Sequence, residues 1–536
     1  MLKPLFQTIG DCLHSRAVET PELPAVAYQD ESYTWRELDE ISDVLALRCL
    51  EMGVKKGTNA GIWGVNSFSW LAYFFALVKI GAVPVLINIC YREQELADIL
   101  SYADVEYLFR GIRCKDTDYA EVIEHLDRSK TPMLRKIIAM ESPEEKVWLH
   151  SPKSCKPDGA GAELLRAAAA QLSPEEVACI LFTSGTSALP KGVLLTHKSL
   201  LRNARQHSVG MGWTEKDRMC LSVPLFHCFG ITVGILTALY CGASLQLVKY
   251  YSTSEVLNTI ETYRCTILSG VPSMFLALIG SSKFSAHDIS SLRSGVVAGS
   301  PLPPEDYMRV CEQLKSIVLQ PAYGQTESSP CITMATLDDS MEDKATTAGR
   351  AIPGVELTIW DTQTNCILPV SKRGEIRARG YNVMKGYYKL PEATAQVLTP
   401  DGWLKTGDEG YLDERGYLHV TGRLKDIIIR GGENISPMEV EACIRGLPEV
   451  ESVKVIGLPT SIMQEEVVAC VICHKGMLLL PQQVIARVKG RMSAYKVPQH
   501  VLFFERFPMT PSGKISQKEL KNQATELLSE QLLIKA

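Results

Sequence analysis

Short apolar runs at Val83–Ile87, Ile180–Phe182, Ser244–Val248, Thr266–Leu268 and Val296–Ala298 alternate with longer amphipathic stretches. That alternation is the signature of an α/β chain in which helices flank largely parallel sheets. With 536 residues the chain exceeds one ordinary core, so two or more domains are expected. Residues 355–424 depart from the alternation. There β-rich Val355–Trp360 and Gly374–Ala378 precede the turn-rich Asp401-Gly-Trp and Asp413-Glu-Arg-Gly-Tyr, which predicts a small barrel-like subdomain. The main boundary is placed near Lys425, giving a large N-terminal domain over 1–424 and a smaller α+β domain over 425–536. The latter has Ser452–Leu458 and Glu466–His474 as strands and Pro481–Met492 as a helix.

The most apolar region, Phe68 to Ile87, is interrupted by Lys79, Gly81 and Pro84, and so predicts a buried helix followed by a core strand rather than a membrane span. The opening Met-Leu-Lys-Pro lacks an apolar signal core, and a cytoplasmic location is the expectation. Sixteen cysteines are scattered through apolar segments such as Val177–Leu181 and Val468–Ile472, as buried reduced thiols would be. A net charge of −5 without a basic tail or stripe argues against nucleic acid as the main partner and for small molecules. The alanine-rich Ala160–Gln171 predicts a solvent-facing helix.

Chemistry first shows at 182–193, Phe-Thr-Ser-Gly-Thr-Ser-Ala-Leu-Pro-Lys-Gly-Val, which follows the apolar run Val177–Phe182. Hydroxyls of Thr183, Ser184, Thr186 and Ser187, backbone N–H groups turned by Gly185 and Gly192, and the Lys191 ammonium suit the oxygens of a triphosphate. A Walker A loop needs glycine before its lysine and Ser or Thr after it. Here Pro190 and Gly192 stand near and after Lys191, so the kinase or GTPase reading is poor. Any four of these residues would pass for a polar surface turn, but the ordered run of ten favours function.

The loop resembles the phosphate loop of the adenylate-forming superfamily, which contains the acyl-CoA synthetases, luciferases and peptide-synthetase adenylation domains. Ser187 keeps a hydroxyl where that family usually has threonine, and Ala188 replaces a glycine. Further family signatures follow in the expected order: Pro-Leu-Phe-His at 224–227, Gly-Ser-Pro-Leu at 299–302, Tyr-Gly-Gln-Thr-Glu at 323–327, Trp-Leu-Lys-Thr-Gly-Asp at 403–408, Gly-Arg-Leu-Lys-Asp at 422–426, Gly-Gly-Glu-Asn at 431–434 and Pro-Ser-Gly-Lys at 511–514. Tyr33–Leu38 resembles the family's N-terminal strand-to-helix turn.

The resemblance implies an acid–thiol ligase using ATP, Mg²⁺ and CoA, with the C-terminal domain as a mobile lid. By that likeness residues 183–191 hold the β- and γ-phosphates, Thr326 contacts the α-phosphate and Glu327 helps hold Mg²⁺. Gly299, Ser300 and Pro301, with Ala322, Tyr323, Gly324 and Gln325, form the adenine pocket, while Asp408 and Arg423 bind the ribose hydroxyls. Lys514 is the catalytic lysine, acting electrostatically on the acyl carboxylate and bridging phosphate oxygen. Lys425 is the hinge about which the lid turns. Gly431, Gly432 and Glu433, a hairpin turn on local grounds, then approach the thioester site, and Lys496 lies near the nucleotide end of CoA. His227 matches a gate between acyl pocket and active site. It lacks the Ser/Asp partnership of a triad.

Phe226 is followed by His227-Cys228-Phe229 rather than by the aspartate that pairs a substrate ammonium in amino-acid-activating relatives. Acetate-specific relatives place tryptophan before Gln-Thr-Glu to shorten the pocket, whereas this chain has Tyr323-Gly324. Room beside Gly324 and an apolar lining from Cys228, Phe229, Gly230, Val297 and Cys331 favour a medium- or long-chain fatty acid, with an aryl acid next. Three alternatives remain: a ligase loading the phosphopantetheine of an acyl carrier protein, a luciferase-type oxygenase, and a noncatalytic acyl- or nucleotide-binding regulator.

Overall fold

The computed structural model describes residues 6–115, 117–143, 145, 149, 159–183, 190–430, 433–460, 464–510 and 513–535, with only the backbone of 433, 434, 464 and 530–535. Contacts divide the chain into two compact units. The first contains Met1–Ala345, Gly349–Glu356 and Ala378–Leu404; the second contains Thr346–Ala348, Leu357–Arg377 and Lys405–Ala536.

The first unit is built on two sheets. One has nine strands, and its interior strands Pro24–Tyr28, Ser244–Leu247, Arg218–Leu221, Ile267–Leu268, Ser294–Val297 and Val318–Gly324 lie parallel. The other has seven, with Val177–Thr183, Val83–Leu86, Asn59–Trp63, Tyr107–Arg110 and Lys136–Ala139 parallel and two antiparallel strands, Lys191–Thr196 and Gly386–Tyr387, added at one edge. All five expected apolar runs are strands of these sheets.

Local chemistry explains the boundaries. At the expected strand-to-helix turn, the Thr34 hydroxyl accepts the Glu37 N–H at 3.2 Å and the Glu37 carboxylate accepts the Thr34 N–H at 2.8 Å, a reciprocal cap that starts the helix Trp35–Glu51. The helix Phe68–Lys79 is buried at every position and leads into the strand Val83–Leu86. Among the described residues no helix is long and apolar enough to cross a membrane. The helix Gly159–Ala169 is largely exposed.

Burying Lys79 at the end of an apolar helix requires partners. Asp39 and Asp43 each accept its ammonium at 2.6 Å, and His14 hydrogen-bonds Asp39 at 3.0 Å. Burial alone would raise the Asp39 carboxyl, but Lys79 and His14 together bring it below its ordinary 3.8. The hydrogen bond to Asp39 raises His14 above its ordinary 6.5. The signs differ. Asp39 contributes stability above 3.8 that is lost as pH falls through its lowered value, and His14 contributes below 6.5 and loses it as pH rises through its raised value. Thermal midpoints measured against pH are therefore expected to place the full contribution of this pair between those limits. His14→Ala should flatten the alkaline side and also weaken the acid side, because it removes one of the groups that lower Asp39.

In the second unit, strands Val450–Thr460 and Gln464–Cys473 pair over most of their length, and His500–Phe503 adds in parallel. The helices Pro437–Arg445 and Pro481–Lys489 pack on this sheet, burying Val440, Ile444, Val484 and Val488. Within 355–424, the strands Val355–Trp360, Gly374–Gly380, Leu404–Leu412 and Leu418–Arg423 form a four-stranded sheet in that order.

Candidate active site

In the first unit, the parallel strands of the nine-stranded sheet end together, and ligands of open α/β sheets bind beyond such carboxyl ends. The strand Ser294–Val297 leads into Gly299, Ser300 and Pro301, all exposed, with Gly299 at φ +91, a conformation glycine adopts without strain. The adjacent parallel strand, which pairs Val297 with Pro321, leads through Ala322, Tyr323 and Gly324. The adenine-pocket residues predicted from separate motifs therefore lie on neighbouring strand ends.

After Gly324 the chain makes a single 3₁₀ turn, Thr326–Ser328. The Gln325 N–H donates to Ser328 Oγ at 3.0 Å, which fixes the turn carrying Thr326 and Glu327. A second anchor comes from the other sheet's edge. The Met384 N–H donates to the Glu327 carbonyl, and the Tyr387 hydroxyl donates to Glu327 Oε1, both at 2.8 Å.

That edge also carries the phosphate-loop ends. Thr183 and Lys191 are paired across an antiparallel hairpin, and the next strand pairs Val193 with Tyr387. The Lys191 ammonium lies over the Tyr387 ring, 4.9 Å from its centroid. Ser184, Gly185, Thr186, Ser187 and Ala188 lie outside the described residues. One side chain thus touches both the predicted phosphate lysine and the predicted metal ligand. Tyr387 was missed by sequence reasoning because it occupies a two-residue strand whose local pattern carries no periodic signal.

The acyl-pocket candidates gather near the same turn. Cys228 precedes an uncommon π-helix, Phe229–Leu236, and its thiol lies 3.6 Å from Thr232 Oγ1. Burial pushes that thiol up to about 12, the Thr232 contact opposes this and the Glu327 charge adds to it, so Cys228 and Glu327 sense each other electrostatically. Val297 and Cys331 are buried, and the Cys331 carbonyl accepts from Asn203 and Asn382 at 3.0 and 2.8 Å. His227 is half-buried, with its ring 4.4 Å from that of Phe226. The room expected beside Gly324 is taken by the chain itself. A Cβ there would lie 1.8 Å from the Pro330 carbonyl oxygen, and one at Gly230 would lie 2.2 Å from that of Pro224. Close backbone approach, not pocket depth, demands both glycines.

The second unit assembles a separate group. Asp408 and Arg423 are directly opposed on antiparallel strands, and Arg423 Nε lies 3.2 Å from Asp408 Oδ1. Asp408 is buried and Arg423 exposed. Lys514 stands on a tight turn in which its carbonyl accepts the Thr510 N–H at 2.6 Å and its N–H donates to Thr510 Oγ1 at 3.1 Å. The residue keeps solvent access, yet its ammonium is lowered from the ordinary 10.5, first by desolvation and then by the Arg423 charge, against the opposing pull of Asp408. Three predicted residues from distant motifs thus share one electrostatic neighbourhood.

Lys425 is exposed in a 3₁₀ turn, Leu424–Asp426. Strands Ile428–Arg430 and Glu433–Ile435 form the expected hairpin, whose turn residues Gly431 and Gly432 lie outside the described residues, as does the Glu433 side chain. The Lys496 ammonium is paired with Glu439 at 2.5 Å, and it borders an open cleft shared with Lys489, Gly490, Arg491, Met492 and Ser493.

Residues 13–388 match the family described as AMP-binding enzyme, and 439–514 match the AMP-binding enzyme C-terminal domain. The chain belongs to this family. YngI of Bacillus subtilis (strain 168) is 36% identical over 545 residues, with 99% of each chain covered. The Bos taurus protein named medium-chain acyl-CoA ligase ACSF2, mitochondrial, is 32% identical over 550 residues, covering 98% of this chain and 88% of its own. Among solved structures, the anthranilate CoA ligase AuaEII in complex with anthranoyl-AMP superposes with a TM-score of 0.85 at 26% identity, covering 97% of this chain and 98% of that one. A Mycobacterium tuberculosis fatty acyl CoA synthetase gives 0.72 at 28%, covering 96% and 98%. This AMP-binding enzyme is of the acyl-CoA synthetase type.

Proposed function

We propose that the chain is an AMP-forming acid–CoA ligase whose acid is a medium- or long-chain fatty acid. The observation that carries the reading is the joining of Glu327 and Lys191 through Tyr387, which assembles a carboxylate and a cation at one place in the first unit. The acid's carboxylate attacks the α-phosphorus of ATP and pyrophosphate leaves; the CoA thiolate then attacks the acyl-adenylate carbonyl and AMP leaves.

Thr183 to Lys191 hold the β- and γ-phosphates, Thr326 the α-phosphate, Gly299 to Pro301 with Ala322 to Gln325 the adenine, and Asp408 and Arg423 the ribose. Glu327 fits Mg²⁺ because it offers a hard oxygen with its carboxylate already oriented by a hydrogen bond. Among the described residues no group of three or more His, Cys, Asp or Glu side chains forms a ready cage. A cation shared between one carboxylate and a triphosphate needs none. When bound, Mg²⁺ supplies charge to the phosphate oxygens.

Lys514 stabilises the charge that grows on the bridging oxygen, and Lys425 is the hinge between domains 1–424 and 425–536. His227 gates the acyl pocket, and Lys489, Arg491 and Lys496 suit the phosphates of CoA. The fatty-acid choice rests on the buried Cys228, Val297 and Cys331 and on relatives named for medium-chain and fatty acyl substrates. An aryl acid is the second reading, favoured by the likeness to the anthranilate ligase.

The test is acid-dependent ATP–pyrophosphate exchange across short, medium, long, aryl and amino acids, followed by AMP release with and without CoA. Exchange strongest with medium or long acids, and AMP release stimulated by CoA, is expected. Exchange accompanied by AMP release that CoA does not stimulate would point to a carrier protein, and no exchange with any acid to a noncatalytic binder.

A further inference from the structure

We propose that Tyr387 is a positioning residue that keeps the Lys191 ammonium and the Glu327 carboxylate close but unpaired, so that both remain available to a magnesium–nucleotide complex. The inference rests on the ligase reading for the identity of that ligand.

The two charges engage different parts of one side chain. Lys191 takes the ring face, with its nitrogen 4.9 Å from the centroid, and Glu327 Oε1 takes the hydroxyl at 2.8 Å. No ion pair joins Lys191 to Glu327 among the described residues, although opposite charges this near a common ring would otherwise gain by meeting. Direct pairing would neutralise the cation meant for phosphate oxygens and occupy the carboxylate meant for a divalent ion. The phenol removes that competition by offering each charge a separate partner.

Its own geometry is fixed from two sides. Tyr387 pairs with Val193 on the edge strand, one residue pair on from Leu194 with Gly386, and its N–H donates to Thr394 Oγ1 at 2.9 Å. The Thr394 hydroxyl in turn lies 2.8 Å from the Leu390 carbonyl. Among the described residues nothing donates to the second Glu327 oxygen, which leaves one oxygen held and one presented. Pre-setting a ligand oxygen in this way is how outer partners tune metal binding.

Phenylalanine at this position keeps the ring under Lys191 and deletes the hydroxyl; leucine removes both. Binding of a nonhydrolysable ATP analogue to the full chain should be measured by calorimetry over a Mg²⁺ titration. Tyr387→Phe is expected to raise the Mg²⁺ needed for half-maximal binding on the order of ten- to a hundredfold, the worth of one hydrogen bond to a charged group. Analogue affinity without Mg²⁺ should hardly change in Tyr387→Phe and should fall in Tyr387→Leu. In a Glu327→Gln background, Tyr387→Phe should have no further effect. A Mg²⁺ titration of Tyr387→Phe matching the unsubstituted chain overturns the inference, as does an equal shift in the Glu327→Gln background or no Mg²⁺-dependent binding at all. The outcomes separate from those of the ligase reading. Exchange intact with an unmoved Mg²⁺ titration removes the role of Tyr387 alone, whereas shifted binding without acid-dependent exchange removes the ligase alone.

Discussion

Lys514→Ala is expected to lower acid-dependent ATP–pyrophosphate exchange by about 10²–10³, the cost of deleting one preorganised charge-stabilising group from a transition state. The site's assembly supports a loss of that size. Lys514 shares its surroundings with Asp408 and Arg423, and desolvation followed by the Arg423 charge lowers its ammonium below 10.5. A cation destabilised in the resting enzyme gains most when negative charge develops beside it, as it does when the bridging oxygen takes up the leaving electrons. Nucleotide affinity should remain nearly as before, because the groups assigned to adenine, ribose and phosphates are untouched. The alkaline limb of the exchange rate should also fall at a pH below the ordinary lysine value, since deprotonation removes the same charge. Equal exchange rates in Lys514→Ala and the unsubstituted chain would remove the lysine from the mechanism. A parallel fall in analogue binding would make it a binding group instead.

What the sequence carried and what it hid divide along a physical line. The strands at 83–86, 177–183, 244–247 and 294–297 were legible because each is a short apolar run bounded by turn residues, a pattern that local burial imposes. The helix beginning at Trp35 was expected from the family likeness of Tyr33–Leu38, and the structure supplies its physical cause, the reciprocal cap of Thr34 and Glu37 three residues apart. Asp408, Arg423 and Lys514 were found through motif likeness, and their common neighbourhood gives that choice an electrostatic basis.

Tyr387 was hidden because its role exists only when an edge strand meets a turn 60 residues earlier, a pairing that no local period encodes. The π-helix at 229–236 was hidden as well, since a continuous apolar run specifies burial and not which carbonyl each N–H will reach. Lys496 was placed near the nucleotide end of CoA by likeness, and the fold gives it Glu439 as a partner that the sequence did not signal. Charge availability is a tertiary property.

Gly324→Ala should separate two accounts of the same glycine. If the residue left space for an acyl chain, alanine would shift exchange toward shorter acids and leave stability alone. The geometry argues otherwise. The added Cβ would sit 1.8 Å from the Pro330 carbonyl oxygen and 3.1 Å from Cys331 Cα, both backbone atoms of the antiparallel partner that pairs Gly324 with Cys331. No rotamer relieves such a contact, so the two strands must part. Their parting costs about 1–3 kcal/mol by the usual penalty of overpacking. The thermal midpoint should therefore drop by several degrees. Because the Thr326–Ser328 turn lies between these two strands, its displacement carries Thr326 and Glu327 with it, away from the Tyr387 hydroxyl. Exchange should fall for every acid in the same proportion, with the loss in maximal rate rather than in the KM for the acid. A changed order of preference among acids, with an unmoved midpoint, would return Gly324 to the acyl pocket.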